Sequence, residues 1–355
     1  MDQSGQPQSE TGSRSQPWLL HSLPVNALNF CPFSLVFLDG DTAAPATSSG
    51  AGTGDEEQNE SPAQTNRESP RPRPVLVAVP NALNSGAVDF FHIPLEKRVS
   101  TIPAPDEQTG MVMAVDVFFN PHSSNALYVC SAYEDGHVMV FACRGRDPNS
   151  PGFQGLEAQI SSSGSNNTPW KWEKLYSSLP HSQPVLGIDV SLSQNSFLSS
   201  SADAVLGMHP IPPLPASIHT RAVPAEQSPL KTVHTKHAGQ QGVRIRSDGK
   251  IFATAGWDSR VRVYSYKTMK ELAVLKWHKD GCFAVSFAET FDSGRDDDND
   301  DSGKIGQRNG SNTTDVLRQE NSLAVLQQQR HRKVQKTHWL AAGSKDAKIS
   351  LWDIY

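Results

Sequence analysis

The chain has 355 residues, of which 37% are hydrophobic and 19% charged, with a net charge of −5 and a pI near 6.2. That is enough apolar material for a sizeable core, and the acidic balance argues against a nucleic-acid surface held by bulk charge. Length alone suggests two domains, yet single all-β domains of this size are common. No apolar run approaches the roughly 18–20 residues that cross a bilayer, and the polar start MDQSGQPQSETGSRSQ reads as a linker over residues 1–16 rather than a signal peptide. Four scattered cysteines (Cys31, Cys130, Cys143, Cys282) without a CxxC pair point to buried, reduced thiols of an intracellular protein, not to a disulfide framework or a zinc site.

In chain order, three stretches read as inserts: 41–74, 144–168 and 290–336. They are rich in Ser, Gly, Asp, Gln and Pro and carry too few apolar residues to offset ordering entropy. Within the last, Val316, Leu317, Leu323 and Leu326 would line one face of a short helix over 315–329. Between the inserts lie short β-branched or aromatic runs bounded by turn residues: VMAVDVFF, ALYVCSAY, HVMVFA, VLGIDV, IFATAG, VRVYSY, CFAVSF, WLAAGS and KISLWD. The fold class is therefore all-β, built of many short strands.

Two segments set the architecture. HAGQQGVRIRSDGKIFATAGWDSRVRVYSY starts at His237, and HKDGCFAVSFAE, continued after the insert by HWLAAGSKDAKISLWDIY, starts at His278. His237 and Tyr264 are 27 residues apart, and His181 and His209 are 28 apart. His278 and Trp352 are 74 apart, an excess of 47 over the first spacing, which is the length of the stretch 290–336. The insert is thus expected between two strands of one repeat.

Both segments resemble the WD repeat, which implies a β-propeller of four-stranded blades. In that family a histidine entering the blade meets the aspartate of the turn between the second and third strands. A Ser or Thr and an aromatic residue extend the hydrogen-bond chain, so each buried polar group is satisfied. Carried over, one set is His237, Thr254, Asp258 and Tyr264, and a second is His278, Asp346 and Trp352. Ala342 stands where the second set needs a serine, so that chain is expected to be broken or water-bridged, and Asp258 should weigh more in stability than Asp346. A weaker third set is His181, Ser199 and Asp203 with His209 in the aromatic place. A fourth unit offers Ser131, Asp135 and Phe141 without an entering histidine, and the first, from Asn26 to Ile93, keeps only strand patterning.

Five blades are expected, over about 17–100, 111–177, 181–235, 237–275 and 278–355. The last ends after its third strand, and residues 18–22 are the one segment available as its fourth.

Chemistry finds little footing in this pattern. Ser, His and Asp within one blade mimic a hydrolase triad, but no G-x-S-x-G elbow occurs and the repeat explains the spacing. The acidic run 292–301 lacks EF-hand spacing, and no GxxxxGK[ST] phosphate loop is present. The basic run 330–336 reads either as a nuclear localisation signal or as a loop flank. No enzymatic activity, cofactor or metal is expected.

Beyond the general repeat, the strings PWLLHSLPVNALNFCPFS, VLVAVPNALNSGAVDFFHIP, WHKDGCFAVSFAE and HWLAAGSKDAKISLWDIY resemble the fungal ASTRA-associated WD-repeat proteins, whose animal relatives are G-protein-β-subunit-like proteins. The resemblance spans most of 17–355 outside the inserts. It implies a nuclear scaffold subunit of the ASTRA complex, tied to chromatin remodelling and, through a co-chaperone set, to maturation of large phosphatidylinositol-3-kinase-like kinases. Its partners would be proteins of that assembly and the kinases, without nucleic acid, membrane or small-molecule substrate. Another WD adaptor, such as a ubiquitin-ligase substrate receptor or a G-protein-β-like subunit, is the alternative. Members of the family carry about two further repeats ahead of the segment at Pro17, which makes these five blades an open arc with exposed edges at 17–30 and 347–355.

Overall fold

The computed structural model describes residues 19–27, 30–38, 74–105, 107–144, 170–215, 227–289, 330 and 337–354. Among the described residues nineteen strands form five antiparallel sheets. The first holds β1 (Ser34–Phe37), β2 (Val75–Pro80), β3 (Val88–Ile93) and β4 (Lys97–Ile102). The second holds β5 (Val112–Asn120), β6 (Ala126–Tyr133), β7 (Val138–Arg144) and β8 (Lys171–Ser178). In the third are β9 (Val185–Val190), β10 (Ser196–Ser201), β11 (Val205–Pro210) and β12 (Lys231–His234). The fourth comprises β13 (Gln240–Ile245), β14 (Ile251–Gly256), β15 (Arg260–Ser265) and β16 (Glu271–Lys276). The last has three strands, β17 (Cys282–Phe287), β18 (Trp339–Ser344) and β19 (Ile349–Asp353). Strands pair in sequence order within every sheet. This is a WD40-type β-propeller fold with five blades.

The core is four apolar layers, one between each pair of neighbouring blades. Leu76, Val88 and Phe90 of the first blade meet Val115, Val129 and Phe141 of the second. Tyr128, Val140 and Tyr176 pack against Ile188 and Phe197 of the third. Leu198 and Leu206 meet Val243, Phe252 and Tyr264 of the fourth, and Ala253, Ala255, Val261 and Val263 meet Val285, Leu340 and Ala342 of the last. Period-2 alternation produces this: on β14, Phe252 faces one neighbour while Ala253 and Ala255 face the other. Inner strands approach closely at Gly187, where a Cβ would lie 2.9 Å from the Gln241 carbonyl oxygen and force the strands apart.

Three expectations meet corrections or fall outside the described residues. Residues 19–22 form no strand; His21 instead bonds Glu96 of the first blade at 2.7 Å. Among the described residues β19 pairs with β18 alone, and Leu19, Leu20, Phe30, Ile349 and Leu351 are exposed. The inserts 41–74, 144–168 and 290–336 lie outside the described residues apart from Pro74, Arg144 and Arg330, as do the linker 1–16, the helix 315–329 and most of the basic run. Arg144 belongs to β7, paired with Lys171, and holds Glu173 at 2.7 Å. The strands flanking 290–336 are joined directly: Phe287 pairs with Leu340, and Ala288 N–H donates to the Trp339 carbonyl at 2.9 Å.

Candidate functional site

Polar residues buried inside the blades form one kind of candidate site, and the third blade carries the longest chain of them. His181, on the loop entering β9, holds Asp203 through Nδ1 at 3.2 Å and Ser199 Oγ through Nε2 at 2.8 Å. Ser199 Oγ continues to His209 Nε2 at 2.9 Å, and His209 Nδ1 to the Tyr176 hydroxyl of the second blade at 3.0 Å. Burial pushes the His209 imidazole down to about 3, with the nearby His181 adding to the shift, so it is neutral. The bonds allow a consistent direction for the protons: Tyr176 O–H to His209, His209 to Ser199, Ser199 to His181, His181 to Asp203. Burial alone would raise the Asp203 carboxyl; the bonds from His181, Val205 N–H and Ser182 N–H outweigh it and hold the group below its ordinary value. Gly207 makes room, since a Cβ there would collide with His209 and Ser199. A set that reads as weaker than those of the last two blades is the most extended in space.

The last blade corrects a second expectation. Its chain is not broken at Ala342. In register, Ala342 lies directly opposite Ser350, and Ser350 supplies the missing hydroxyl from the third strand. Ser350 Oγ meets His278 Nε2 and accepts from Trp352 Nε1, both at 2.8 Å, while His278 Nδ1 faces Asp346 at 3.2 Å. Ser350, visible in KISLWD, is the residue that sequence reasoning missed; the signal was an alanine and a serine at cross-strand positions.

In the fourth blade the expected chain of His237, Thr254, Asp258 and Tyr264 does not form. The His237 ring is 43% exposed and only 3.9 Å from Asp258. Gln240 takes its place: Thr254 Oγ1 donates to Gln240 Oε1 at 2.7 Å, the Tyr264 hydroxyl approaches the same oxygen at 3.5 Å, and Gln240 Nε2 donates to Thr235 Oγ1 at 2.9 Å. Asp258 is claimed by Arg262, at 3.0 and 2.5 Å, whose bonds overcome the effect of burial and keep the carboxyl below its ordinary value. The amide can stand in for a neutral imidazole because it too offers both a donor and an acceptor.

The remaining blades depart further. Ser131 Oγ bonds the Tyr133 hydroxyl at 3.1 Å, Asp135 bonds His137 at 2.6 Å within its own turn, and Phe141 packs in the apolar layer. The first blade centres on buried Asp89, which accepts from Asn81 Nδ2 at 2.8 Å and Thr101 Oγ1 at 2.6 Å.

Ser131, Ser199 and Thr254 are fully buried, so the triad-like His181–Ser199–Asp203 arrangement has no approach for a reacting carbonyl. Among the described residues no group of three or more His, Cys, Asp or Glu side chains could hold a metal ion, and no helix is long and apolar enough to cross a membrane. The four cysteines are free and buried; burial pushes the Cys31 thiol up to about 12 and Cys282 up to about 11, away from the reactive thiolate.

A second candidate is the space enclosed by the inner strands. A cavity of about 500 Å³ is lined from all five blades, including Phe33, Asp116, Asp189, Arg244 and Phe283. Asp116 accepts from Ser34 Oγ at 2.9 Å, and Asp189 accepts from Ile245 N–H at 2.6 Å, clipping the third blade to the fourth. Burial raises both carboxyls, Asp189 to about 7.

Comparison with known proteins fits this geometry. Residues 227–265 match the family described as WD domain, G-beta repeat, a span that takes β12 from the third blade and β13–β15 from the fourth. The chain is 55% identical over 348 residues to ASTRA-associated protein 1 of Aspergillus niger, covering 96% of this chain and 72% of the relative. The chain belongs to the ASTRA-associated protein 1 family. The Penicillium rubens family member is 53% identical, covering 98% of this chain and 74% of its own. A more distant likeness, 28% identical over 79% of this chain and 60% of the relative, links the family to the mouse guanine nucleotide-binding protein subunit beta-like protein 1.

Proposed function

We propose that this chain is a non-catalytic protein-interaction scaffold, a nuclear subunit of the ASTRA complex that serves chromatin remodelling and the maturation of phosphatidylinositol-3-kinase-like kinases. The observation that carries the reading is 55% identity, across 96% of the chain, to a protein named for its association with ASTRA. The physical arrangement is in keeping with it. Side chains that could perform chemistry are consumed inside the blades, while large apolar residues stand exposed on the connections between strands. Leu83 lies between β2 and β3, Trp257 between β14 and β15, and Trp277 between β16 and β17. Exposed tryptophan is a common anchor of protein interfaces. With a net charge of −5 the molecule has no bulk attraction for nucleic acid.

Affinity purification of the tagged full chain from a fungal host tests the reading. ASTRA subunits and the giant kinases should co-purify, and a fluorescent fusion should concentrate in the nucleus. Recovery of cullin adaptors or of a small Gγ-like helical partner, with no ASTRA subunit present, would overturn it.

A further inference from the structure

The cavity between the inner strands is not explained by the blade networks. Its walls carry exposed aromatic rings, Phe30 at 67%, Phe33 at 64% and Phe283 at 43%, where a packed propeller interior would bury them. Two carboxylates, Asp116 and Asp189, sit among these rings with one guanidinium, Arg244. The pair is under-compensated. Arg244 reaches Asp189 only at 3.4 Å, longer than the roughly 2.7–2.9 Å of a strong charge-assisted bond. Its NH1 also donates to the carbonyl oxygens of Val243 at 3.0 Å and Ile188 at 3.3 Å.

We propose that this cavity is a binding site for a lysine or arginine side chain of an extended partner segment, with Asp116 and Asp189 as its anionic floor and Phe30, Phe33 and Phe283 as its wall. Charge complementarity selects a cation: two carboxylates face one half-exposed guanidinium. Aromatic faces add cation–π attraction for the same guest. The volume of about 500 Å³ lies within the range of small-ligand pockets. Burial has lifted both carboxyls above their ordinary range; a cation between them would pull them back to the charged form, so binding near neutral pH releases protons. The proposal deepens the scaffold reading and rests on it.

The test uses the purified full chain and fluorescein-labelled nonapeptides of Gly, Ser and Leu carrying Arg, Lys, Ala or Glu at the central position, followed by anisotropy. The Arg or Lys peptide should bind at least tenfold more tightly than the Ala and Glu peptides, and more tightly at pH 8 than at pH 6. The Asp116→Asn/Asp189→Asn double variant should lose the preference for a cation. Its amide oxygens can still accept from Ser34 and Ile245, so the blades stay joined. Arg244→Ala, which removes the internal competitor, should tighten the basic peptides severalfold. Equal affinity for all four peptides, no binding of any, or a double variant that keeps the preference would overturn the proposal. ASTRA subunits co-purifying with a chain that binds none of the peptides would sink the cavity proposal and leave the scaffold reading standing.

Discussion

The third and fourth blades invert the relation between sequence resemblance and buried structure. The fourth matches the repeat family over 227–265, yet its histidine lies outside the network and a glutamine stands in for it. The third has a histidine where an aromatic residue is expected and a serine-rich second strand, yet it joins five side chains from Asp203 to Tyr176. What matters physically is that every buried donor and acceptor finds a partner, and different residue sets meet that requirement. Losing one member then costs whatever its partners cannot replace. His181→Ala takes one hydrogen bond from the fully buried Ser199 and one from Asp203, and leaves a void in the blade, so we expect a loss of about 3 kcal/mol. Urea denaturation with a constant slope would measure it. A loss below about 1 kcal/mol would mean that the chain adds nothing to the third blade.

The last blade sharpens the same point. Ser350→Ala removes the hydroxyl shared by His278 and Trp352 and should cost about 2 kcal/mol. The double variant Ser350→Ala/Ala342→Ser, which moves the hydroxyl to the cross-strand position, should recover part of that loss. Failure to recover any of it would show that the strand supplying the serine is fixed by more than proximity. Because Ser350 repairs the gap at Ala342, the reason to rank Asp258 above Asp346 disappears. Asp258 is itself half-exposed and serves the buried Arg262, whereas Asp346 orients a buried histidine.

How much of this was legible depended on how each strand is buried. VMAVDVFF, ALYVCSAY and IFATAG fall on β5, β6 and β14, where both faces meet neighbouring blades and apolar runs follow directly. The strands β4, β8, β12 and β16, with KRVSTI, KWEKLYSS, KTVH and ELAVLK, carry charges on a partly exposed outer edge, which dilutes the pattern. SFLSSS on β10 looks like a loop by composition but is buried throughout. Its hydroxyls find partners within the blade and across to the next: Ser201 donates to the Pro184 carbonyl at 2.8 Å, and Ser196 bonds the Tyr266 hydroxyl of the fourth blade at 2.8 Å. The entering histidines were readable at 181 and 278 because the spacing to Asp203 and Asp346 survives removal of the insert. At 237 the spacing is equally good and the ring still points to solvent, since Gln240 occupies the interior first. One-dimensional spacing cannot distinguish two polar residues three positions apart that compete for one socket. Nor could it reveal the cavity, whose lining comes from five strands far apart in the chain.

The contact between the third and fourth blades offers a prediction in pH. Asp189 titrates near 7 because burial raises it, although Arg244 and Ile245 N–H pull the other way and Asp116 adds to the rise. A carboxyl raised above its unfolded value stabilises the fold most when protonated. That contribution is fully present below about pH 4 and is lost as pH climbs towards 7. Asp203, Asp248 and Asp258 are lowered and act in the opposite sense, but only at pH values below their ordinary range. Between pH 5 and pH 8 the wild-type chain should therefore lose about 1–2 kcal/mol that Asp189→Asn retains. Parallel denaturation curves for the two proteins across this range would show that Asp189 is ionised throughout.

The smallest effect belongs to the residue that most resembles its family's. His237 occupies the repeat's histidine position, but its side chain is 43% exposed and its ion pair with Asp258 spans 3.9 Å. Exposed pairs of this kind contribute little, because solvent screens them and ordering the side chains opposes them. The backbone at this position is what the blade uses: His237 N–H donates to Thr235 Oγ1 at 3.2 Å, and its carbonyl accepts from Gln240 Nε2 at 3.4 Å. An alanine keeps both groups. His237→Ala should thus change stability by no more than about 0.5 kcal/mol, while Gln240→Ala, which strips Thr254 and Tyr264 of their acceptor in the interior, should cost about 2 kcal/mol. The two substitutions lie three residues apart in one loop-to-strand segment, so local chain stiffness is shared and the difference isolates the socket. If His237→Ala proved the more damaging of the two, the histidine would have to turn inward in solution, and the fourth blade would be built like the third after all.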